Sequence, residues 1–391
     1  MSGAAIGSGD TGRDAARAAT GTCTGSGLAG LRVALVGPLP PPAGGMANQT
    51  RQLAELLRGA GAQVTLVQTN APYRPAWAGK VPVLRAGARL LPYLGALWRA
   101  AGRSDVCHVM ANSGWSWHLF AAPAIWVARA RGVPVVVNYR GGEADAFLQR
   151  SGAAVRWSMR RVARLAVPSG FLQQVFTRHG MAAEVVPNIV DLARFTPAEP
   201  AGSAHLVVAR NLEPIYDNAT ALRALALVRQ RHPGAHMTIA GTGPELRRLQ
   251  ALAAQLGLGE EAVCFAGRLD RDAMAALYRR ADVAINPSTV DNMPNSVLEA
   301  LACGVPVVST DVGGVPFIVR HGQTALLVGA GDAPAMAAAV VQLLDDGALR
   351  SRLRQAGLDD VQSYTWAHVA PVLASIYQAA RNATGQRPVL S

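Results

Sequence analysis

Twice along this chain, short runs of valine, isoleucine and leucine alternate with stretches patterned for helices, and no other feature constrains the fold as much. The first series opens with Arg32-Val-Ala-Leu-Val-Gly37, a Pro/Gly loop over 38–45, and a helical pattern over 46–59 with Leu53, Leu56 and Leu57 on one face. Strand-like runs follow at 64–68, 106–110, 135–138, 165–167 and 184–186. The pattern breaks at Pro187-Asn-Ile-Val-Asp191 and through a Pro/Ala/Gly stretch ending at Ser203. It restarts with strands at 205–209, 237–240, 263–266, 283–286, 307–309 and 326–328, and helices at 220–231, 245–256, 272–280 and 296–302. Alternation of this kind predicts α/β domains, each a mostly parallel sheet with crossover helices. The expected division is a disordered leader over 1–30, a first Rossmann-like domain over 31–187 and a linker over 188–203. A second such domain over 204–365 follows, then a C-terminal helix and tail over 366–391 that crosses back to the first. Ligands of open parallel sheets bind beyond the carboxyl ends of the strands, so two facing domains place a site in the cleft between them.

Charge separates the halves. Residues 1–200 hold 21 Lys+Arg against 9 Asp+Glu, while 201–391 hold 16 of each, so the whole net +12 sits in the first half. That asymmetry points to an anionic partner there: a membrane surface, a nucleic acid or a phosphate-bearing substrate. Only Lys80 among the basic residues is a lysine, and no nucleic-acid motif, lysine cluster or aromatic stacking platform is visible, so nucleic acid ranks last. Cys23, Cys107, Cys264 and Cys303 stand far apart without a CxxC, which speaks against a disulfide scaffold or structural zinc and fits a reducing compartment. Residues 1–30 lack the apolar core of an export signal. The uncharged stretch 106–128 is long enough to be weighed as a membrane span, but its Asn, Ser, Gly, His and Pro read better as strand then helix.

The chemistry concentrates in Asn286-Pro-Ser-Thr-Val-Asp-Asn-Met-Pro-Asn-Ser-Val-Leu-Glu-Ala300. A strand ends at Asn286, a polar loop follows, and a helix opens near Asn295 or Ser296 with either residue suited as N-cap. Free N–H groups at such a helix start suit a diphosphate. Asp291 falls in the loop and Glu299 in the helix, and Asp311-Val-Gly-Gly-Val-Pro316 forms a second glycine-rich loop beside them.

This layout resembles the GT-B retaining glycosyltransferases of family 4, also called group 1. The resemblance rests on Asp291 and Glu299, separated by seven residues, and on Gly44-Gly45, Asn188-Ile-Val-Asp191, Arg210, Gly241-Thr-Gly-Pro-Glu245 and Ala302-Cys-Gly-Val-Pro-Val-Val308. In this order the set is specific and covers about residues 31–345. The resemblance implies two Rossmann-like domains, an acceptor domain first and a donor domain second. It implies that Glu299 hydrogen-bonds the nucleotide ribose and Asp291 orients the transferred sugar. Arg210 neutralises the donor diphosphate with the N–H groups near Asn295 and Ser296, and Gly44 and Gly45 let backbone approach the sugar. Asn292, Gly241 and Arg268 complete the expected donor-binding set. No metal and no cofactor is expected, because a cation and a helix start carry the leaving group's charge.

Three departures from the family pattern stand out. Tyr216 occupies the place of a usual lysine, and Asp291 that of a usual glutamate. Tyr139 or Arg140 stands where many relatives carry a histidine. Arg140, with Glu143 in the same turn, is taken as a catalytic candidate, its charge replacing the missing lysine from across the cleft.

Other features have plainer readings. Asp270-Arg-Asp272 spells a metal-nucleotide pattern but directly precedes a helix, so N-capping explains it. His108 reads as a packed histidine, His118 as packed or facing an acceptor, and His232 and His321 as turn residues. In segment 81–103, Arg85, Arg89, Arg99 and Arg103 fall within about 80° of one another, with Leu90, Leu91, Leu94, Leu97 and Trp98 opposite. Either an interfacial helix on anionic lipid or a surface helix packed on the sheet accounts for this, and Pro92 predicts two short helices. The expected function is a retaining, metal-independent transfer of a sugar from a nucleotide-sugar donor to a glycan or lipid-linked acceptor, in cell-surface or exopolysaccharide synthesis. It is expected at the cytoplasmic face of a membrane. The alternative is a non-catalytic GT-B subunit that binds a nucleotide sugar or a partner transferase; a GT-B epimerase is a lesser rival. A phosphorylase is disfavoured because no lysine lies in the second domain.

Overall fold

The computed structural model describes residues 27–41, 44–72, 82–199 and 202–385. Two six-stranded sheets form, and every pairing in each is parallel. The first contains β1 (Arg32–Gly37), β2 (Gln63–Gln68), β3 (Val106–Ala111), β4 (Val135–Tyr139), β5 (Arg164–Val167) and β6 (Glu184–Val185), in the order β2-β1-β3-β4-β5-β6. The second contains β7 (His205–Val208), β8 (His236–Ala240), β9 (Val263–Gly267), β10 (Val283–Asn286), β11 (Val307–Thr310) and β12 (Leu326–Val328), in the order β12-β11-β10-β7-β8-β9. Helices cover both faces of each sheet, which is why β3, β4, β10 and β11 are buried along their whole length and read as continuous apolar runs. This is the GT-B arrangement of two Rossmann-like domains.

Strand order reverses between β1 and β3 in the first domain and between β7 and β10 in the second. Crevices open at such points beyond the strand ends. The loops after β1 and β7 and the loop 287–294 after β10 are therefore set against each other.

The final helix, Trp366–Gly385, returns to the first domain. Val369, Leu373, Ile376 and Tyr377 pack with Leu53 and Leu57 of the helix Gly45–Gly59, and the Tyr377 hydroxyl lies 2.8 Å from His108 Nδ1. Leu28, within the span expected as a leader, is fully buried in this same cluster. Residues 1–26, the rest of that leader, lie outside the described residues.

Pro92 does not divide its segment: one helix runs over Pro82–Ala101. A proline removes one hydrogen bond and crowds the preceding turn, but packing holds both sides of it to one wall. Tyr93, Leu97, Ala100 and Ala101 are buried, Leu90 and Leu94 pack against the same core, and the Tyr93 hydroxyl donates to the Phe120 carbonyl at 2.8 Å. Most of the leucine face thus meets protein. Leu91 and Trp98 stay exposed, at 72% and 47%. Among the described residues no helix is long and apolar enough to cross a membrane.

Candidate active site in the interdomain cleft

A cavity of about 490 Å³ occupies the cleft, and all twelve residues singled out from sequence line it. Gly44, Gly45, Arg140 and Glu143 come from the first domain, and Arg210, Gly241, Arg268, Asp291, Asn292, Asn295, Ser296 and Glu299 from the second. A Cβ at Gly44 or Gly45 would meet no atom within 4 Å, so the backbone at the start of the first helix faces open cleft.

Arg210 lies just past β7, at the switch point. Its Nε and Nη2 donate to Ser288 Oγ at 3.1 and 2.8 Å, and its Nη1 to Ser296 Oγ at 3.4 Å. Its guanidinium is ion-paired with Asp291 and stacks 4.3 Å from the Tyr216 ring centroid. The two charged side chains are only 10% and 11% exposed. Burial pushes Arg210 down to about 10, which leaves it cationic at neutral pH. Glu299 is pushed up to about 7 by burial, an effect that Arg271 and Arg210 partly offset. The residue in the usual lysine's place thus supports the remaining cation as an aromatic plate.

The loop carrying Asp291 is shaped by glycines behind it. The Gly314 N–H donates to the Asp291 carbonyl at 2.8 Å. A Cβ at Gly313 or Gly314 would run into the Asp291 or Asn292 carbonyl, and Gly313 has φ +52°. Gly241 stands equally close to the Arg210 carbonyl, so its lack of a side chain is required by packing inside the second domain. The helix Asn295–Ala302 is preceded by Pro294 at the N-cap position, not by Asn295 or Ser296, and no side chain caps it. With its φ preset, Pro294 holds the entry, and no side-chain acceptor competes for the first-turn N–H groups.

Arg140 sits on the facing wall, with its guanidinium held by three amide oxygens. Nε donates to Asn138 Oδ1 at 2.9 Å, and Nη1 to Gln49 Oε1 at 3.2 Å and to Asn188 Oδ1. Asn188 Nδ2 donates to Asn295 Oδ1 at 2.6 Å and to the Met293 carbonyl at 2.9 Å, and Gln49 Nε2 reaches Asn295 Oδ1 at 3.3 Å. Asn292 Nδ2 donates to the Gly141 carbonyl. Asn292 and Asn295 therefore tie the two domains together as well as lining the cavity. Sequence reading missed the part of Gln49 and of the Asn188 side chain, because only the folded linker brings these amides beside Arg140.

Residues 204–346 match the family model described as glycosyl transferases group 1, and residues 44–189 that of the glycosyl transferase 4-like domain. Glycogen synthase of Mycobacterium tuberculosis is 32% identical over 320 residues, covering 78% of this chain and 75% of that protein. The chain belongs to the group 1 glycosyltransferases. Phosphatidyl-myo-inositol mannosyltransferase of Mycobacterium leprae is 28% identical over 362 residues, covering 86% of this chain and 93% of its own. Among solved structures, sucrose-phosphate synthase of Thermosynechococcus elongatus shares the fold with a TM-score of 0.73 at 22% identity, over 90% of this chain and 99% of that one. The HepE protein of Anabaena, solved with UDP and glucose, does so with a TM-score of 0.68 at 17% identity, over 89% of this chain and 99% of its own.

The other sequence features of this group 1 glycosyltransferase take structural roles. Asp270 caps the helix Arg271–Tyr278 by accepting from the Ala273 N–H at 2.8 Å, and Asp272 pairs with Arg194 at 2.9 Å. His108 is buried in the core, where burial pushes it down to about 3. His118 packs edge-on against Trp115 and Phe147. His232 pairs with Asp345 at 3.0 Å, and His321 accepts from the Leu327 N–H at 3.0 Å. Among the described residues no group of three or more His, Cys, Asp or Glu is placed to hold a metal ion.

Proposed function

We propose that this group 1 glycosyltransferase moves a sugar from a nucleotide-sugar donor to a glycan or lipid-linked acceptor, with retention of configuration and without a metal, in cell-surface or exopolysaccharide synthesis. The observation that carries this reading is the Arg210–Asp291–Glu299 cluster at the β7/β10 switch point, facing the bare backbone of Gly44 and Gly45. Breaking a sugar–phosphate bond builds negative charge on the leaving diphosphate. Arg210, preset by Ser288, Ser296 and Tyr216, and the first-turn N–H groups of the helix Asn295–Ala302 meet that charge without reorganising. On binding, the diphosphate takes over Arg210, which frees Asp291 to receive a sugar hydroxyl. Glu299 accepts from the ribose, with Gly241, Arg268 and Asn292 completing the donor wall. Glu143 and Arg140 bound the acceptor side, and Arg140 fixes the first domain against Asn295 through Asn188. The exposed Leu91 and Trp98, on the half of the chain with the net positive charge, support a peripheral contact with an anionic membrane at its cytoplasmic face.

Nucleotide release from a panel of UDP-, GDP-, ADP- and TDP-sugars with a crude lipid extract tests this reading. Release from one donor, unchanged by EDTA and lost in Asp291→Asn/Glu299→Gln, is expected. Donor binding without release under every acceptor tried would move the chain to a non-catalytic role. Co-sedimentation with phosphatidylglycerol vesicles in the same assay tests the membrane contact, and protein that stays in the supernatant would rule it out.

The raised Glu299 carboxyl gives a pH signature. Ribose hydroxyls donate to the ionised form, so bound donor favours deprotonation and affinity falls as pH drops through about 7. Donor KM is expected to rise toward about tenfold per unit below that pH, with kcat changing less. Glu299→Gln flattens the profile while weakening binding at high pH; a profile that keeps its slope in this variant assigns the titration elsewhere.

A further inference from the structure

Of the first-domain residues that line the donor cleft, only Arg140 and Glu143 carry a formal charge. Arg210, on the facing wall, is matched by Asp291, whereas among the described residues no carboxylate pairs with Arg140. The guanidinium of Arg140 meets neutral groups alone. Nε donates to Asn138 Oδ1, and Nη1 spends its hydrogens on Gln49 Oε1 and Asn188 Oδ1. Nη2, with two hydrogens, has no partner among the described residues. Burial pushes Arg140 down to about 10 and no neighbouring charge opposes it, so the group is still cationic at neutral pH. A desolvated cation is costly until an anion compensates it, and this one is kept on a wall that faces substrate.

On the transferase reading the diphosphate lies at Arg210 and the start of the helix Asn295–Ala302. The Asn188 amide bridges Arg140 to Asn295, donating to Asn295 Oδ1 at 2.6 Å, so the Nη1 edge is already used. Arg140 instead adjoins the loop that carries Asp291, because Asn292 Nδ2 donates to the Gly141 carbonyl and reaches that of Arg140 at 3.5 Å. We propose that Arg140 reads the sugar of the donor, and that this sugar is a uronic acid whose carboxylate pairs with Nη2. The inference rests on the transferase reading above and adds the class of sugar transferred. A guanidinium N–H pair matches a carboxylate in charge and geometry, whereas the hydroxymethyl group of a neutral hexose leaves the cation uncompensated. Three amide oxygens hold the guanidinium in one place, so little freedom is lost when the carboxylate arrives. The carboxylate takes no part in the bond exchange: the C1–O bond to the diphosphate breaks, the acceptor oxygen bonds to C1, and the acceptor's proton leaves with the diphosphate.

Calorimetry on the full chain, without acceptor, compares UDP-glucuronic acid with UDP-glucose, UDP-galacturonic acid with UDP-galactose, and GDP-mannuronic acid with GDP-mannose. In at least one pair wild type is expected to hold the uronate about tenfold or more tighter than its neutral partner. Neutral donors bound as well as the uronates, or better, in all three pairs overturn the proposal, and this comparison needs no variant. Arg140→Gln is expected to shrink the preference about tenfold or more, in binding and in kcat/KM for nucleotide release. Arg140→Lys, which keeps the charge, should retain more of it. Folded variants, judged by their melting transitions, that both keep the full preference take the role away from Arg140. Turnover of neutral donors only, faster with glucuronic acid than with glucose as acceptor, places the carboxylate on the acceptor and overturns the donor assignment. Tighter uronate binding with no nucleotide release from any donor supports the proposal and counts against the transferase reading. Failure of UDP, GDP and all six donors to bind counts against both.

Discussion

Arg210→Ala is expected to lower turnover about 10²–10³-fold, because the guanidinium braced by Ser288, Ser296 and Tyr216 at the switch point is removed from the leaving diphosphate. The fall should appear in kcat as well as in kcat/KM, since the charge it meets is greatest in the transition state. The same change leaves the Asp291 carboxylate, 11% exposed, without its cation. Removing one partner of a buried pair costs about 3–5 kcal/mol, so the variant should also unfold at lower denaturant. Adding Asp291→Ala should recover much of the stability and none of the activity. Asp291→Asn alone should lose turnover yet bind nucleoside diphosphate more tightly than wild type, because Arg210 then starts unoccupied. Calorimetry with UDP and GDP reads this directly, and weaker diphosphate binding in Asp291→Asn would show that the carboxylate does not compete for Arg210.

Gly314→Ala is expected to be nearly as damaging from outside the cavity. Its new Cβ runs into the Asn292 carbonyl, a backbone atom of the loop that carries Asp291, so the loop itself has to shift. The Gly314 N–H bond to the Asp291 carbonyl, 2.8 Å long, goes with it. A backbone clash of this kind is expected to cost about 1–3 kcal/mol, with turnover down about 10²-fold through misplacement of the carboxylate. Gly44→Ala is the contrasting case: it meets no protein atom, so stability should hold while donor turnover falls, if backbone at the first loop approaches the sugar. Equal stability and activity of Gly314→Ala and wild type would show that the loop tolerates the shift. The comparison separates a glycine required by the protein from one left open for a ligand.

Much of the site was legible before folding. Asp291 and Glu299 are separated by seven residues on a strand–loop–helix unit, and local geometry alone carries both toward one strand end. Arg210 was legible for the same reason, as it lies just past the strand that begins the second series. Pairing between Arg210 and Asp291 was not, since β7 and β10 become neighbours only through sheet order. Nor was the amide network of Gln49, Asn188 and Asn295, which joins three distant segments through side chains that carry no local pattern.

Period and composition thus determined two parallel α/β sheets and the residues near the strand ends, because these depend on spacing along one segment. Which way a helix faces is a different kind of fact. Pro92 breaks a helix by local rules, and the four arginines share a face by angle, but burial of Tyr93 and Leu97 keeps the helix whole and turns Arg89 to a cavity beside Gly44 and Gly45. Burying apolar side chains on a common core outweighs one missing hydrogen bond, and only the tertiary structure states where that core lies.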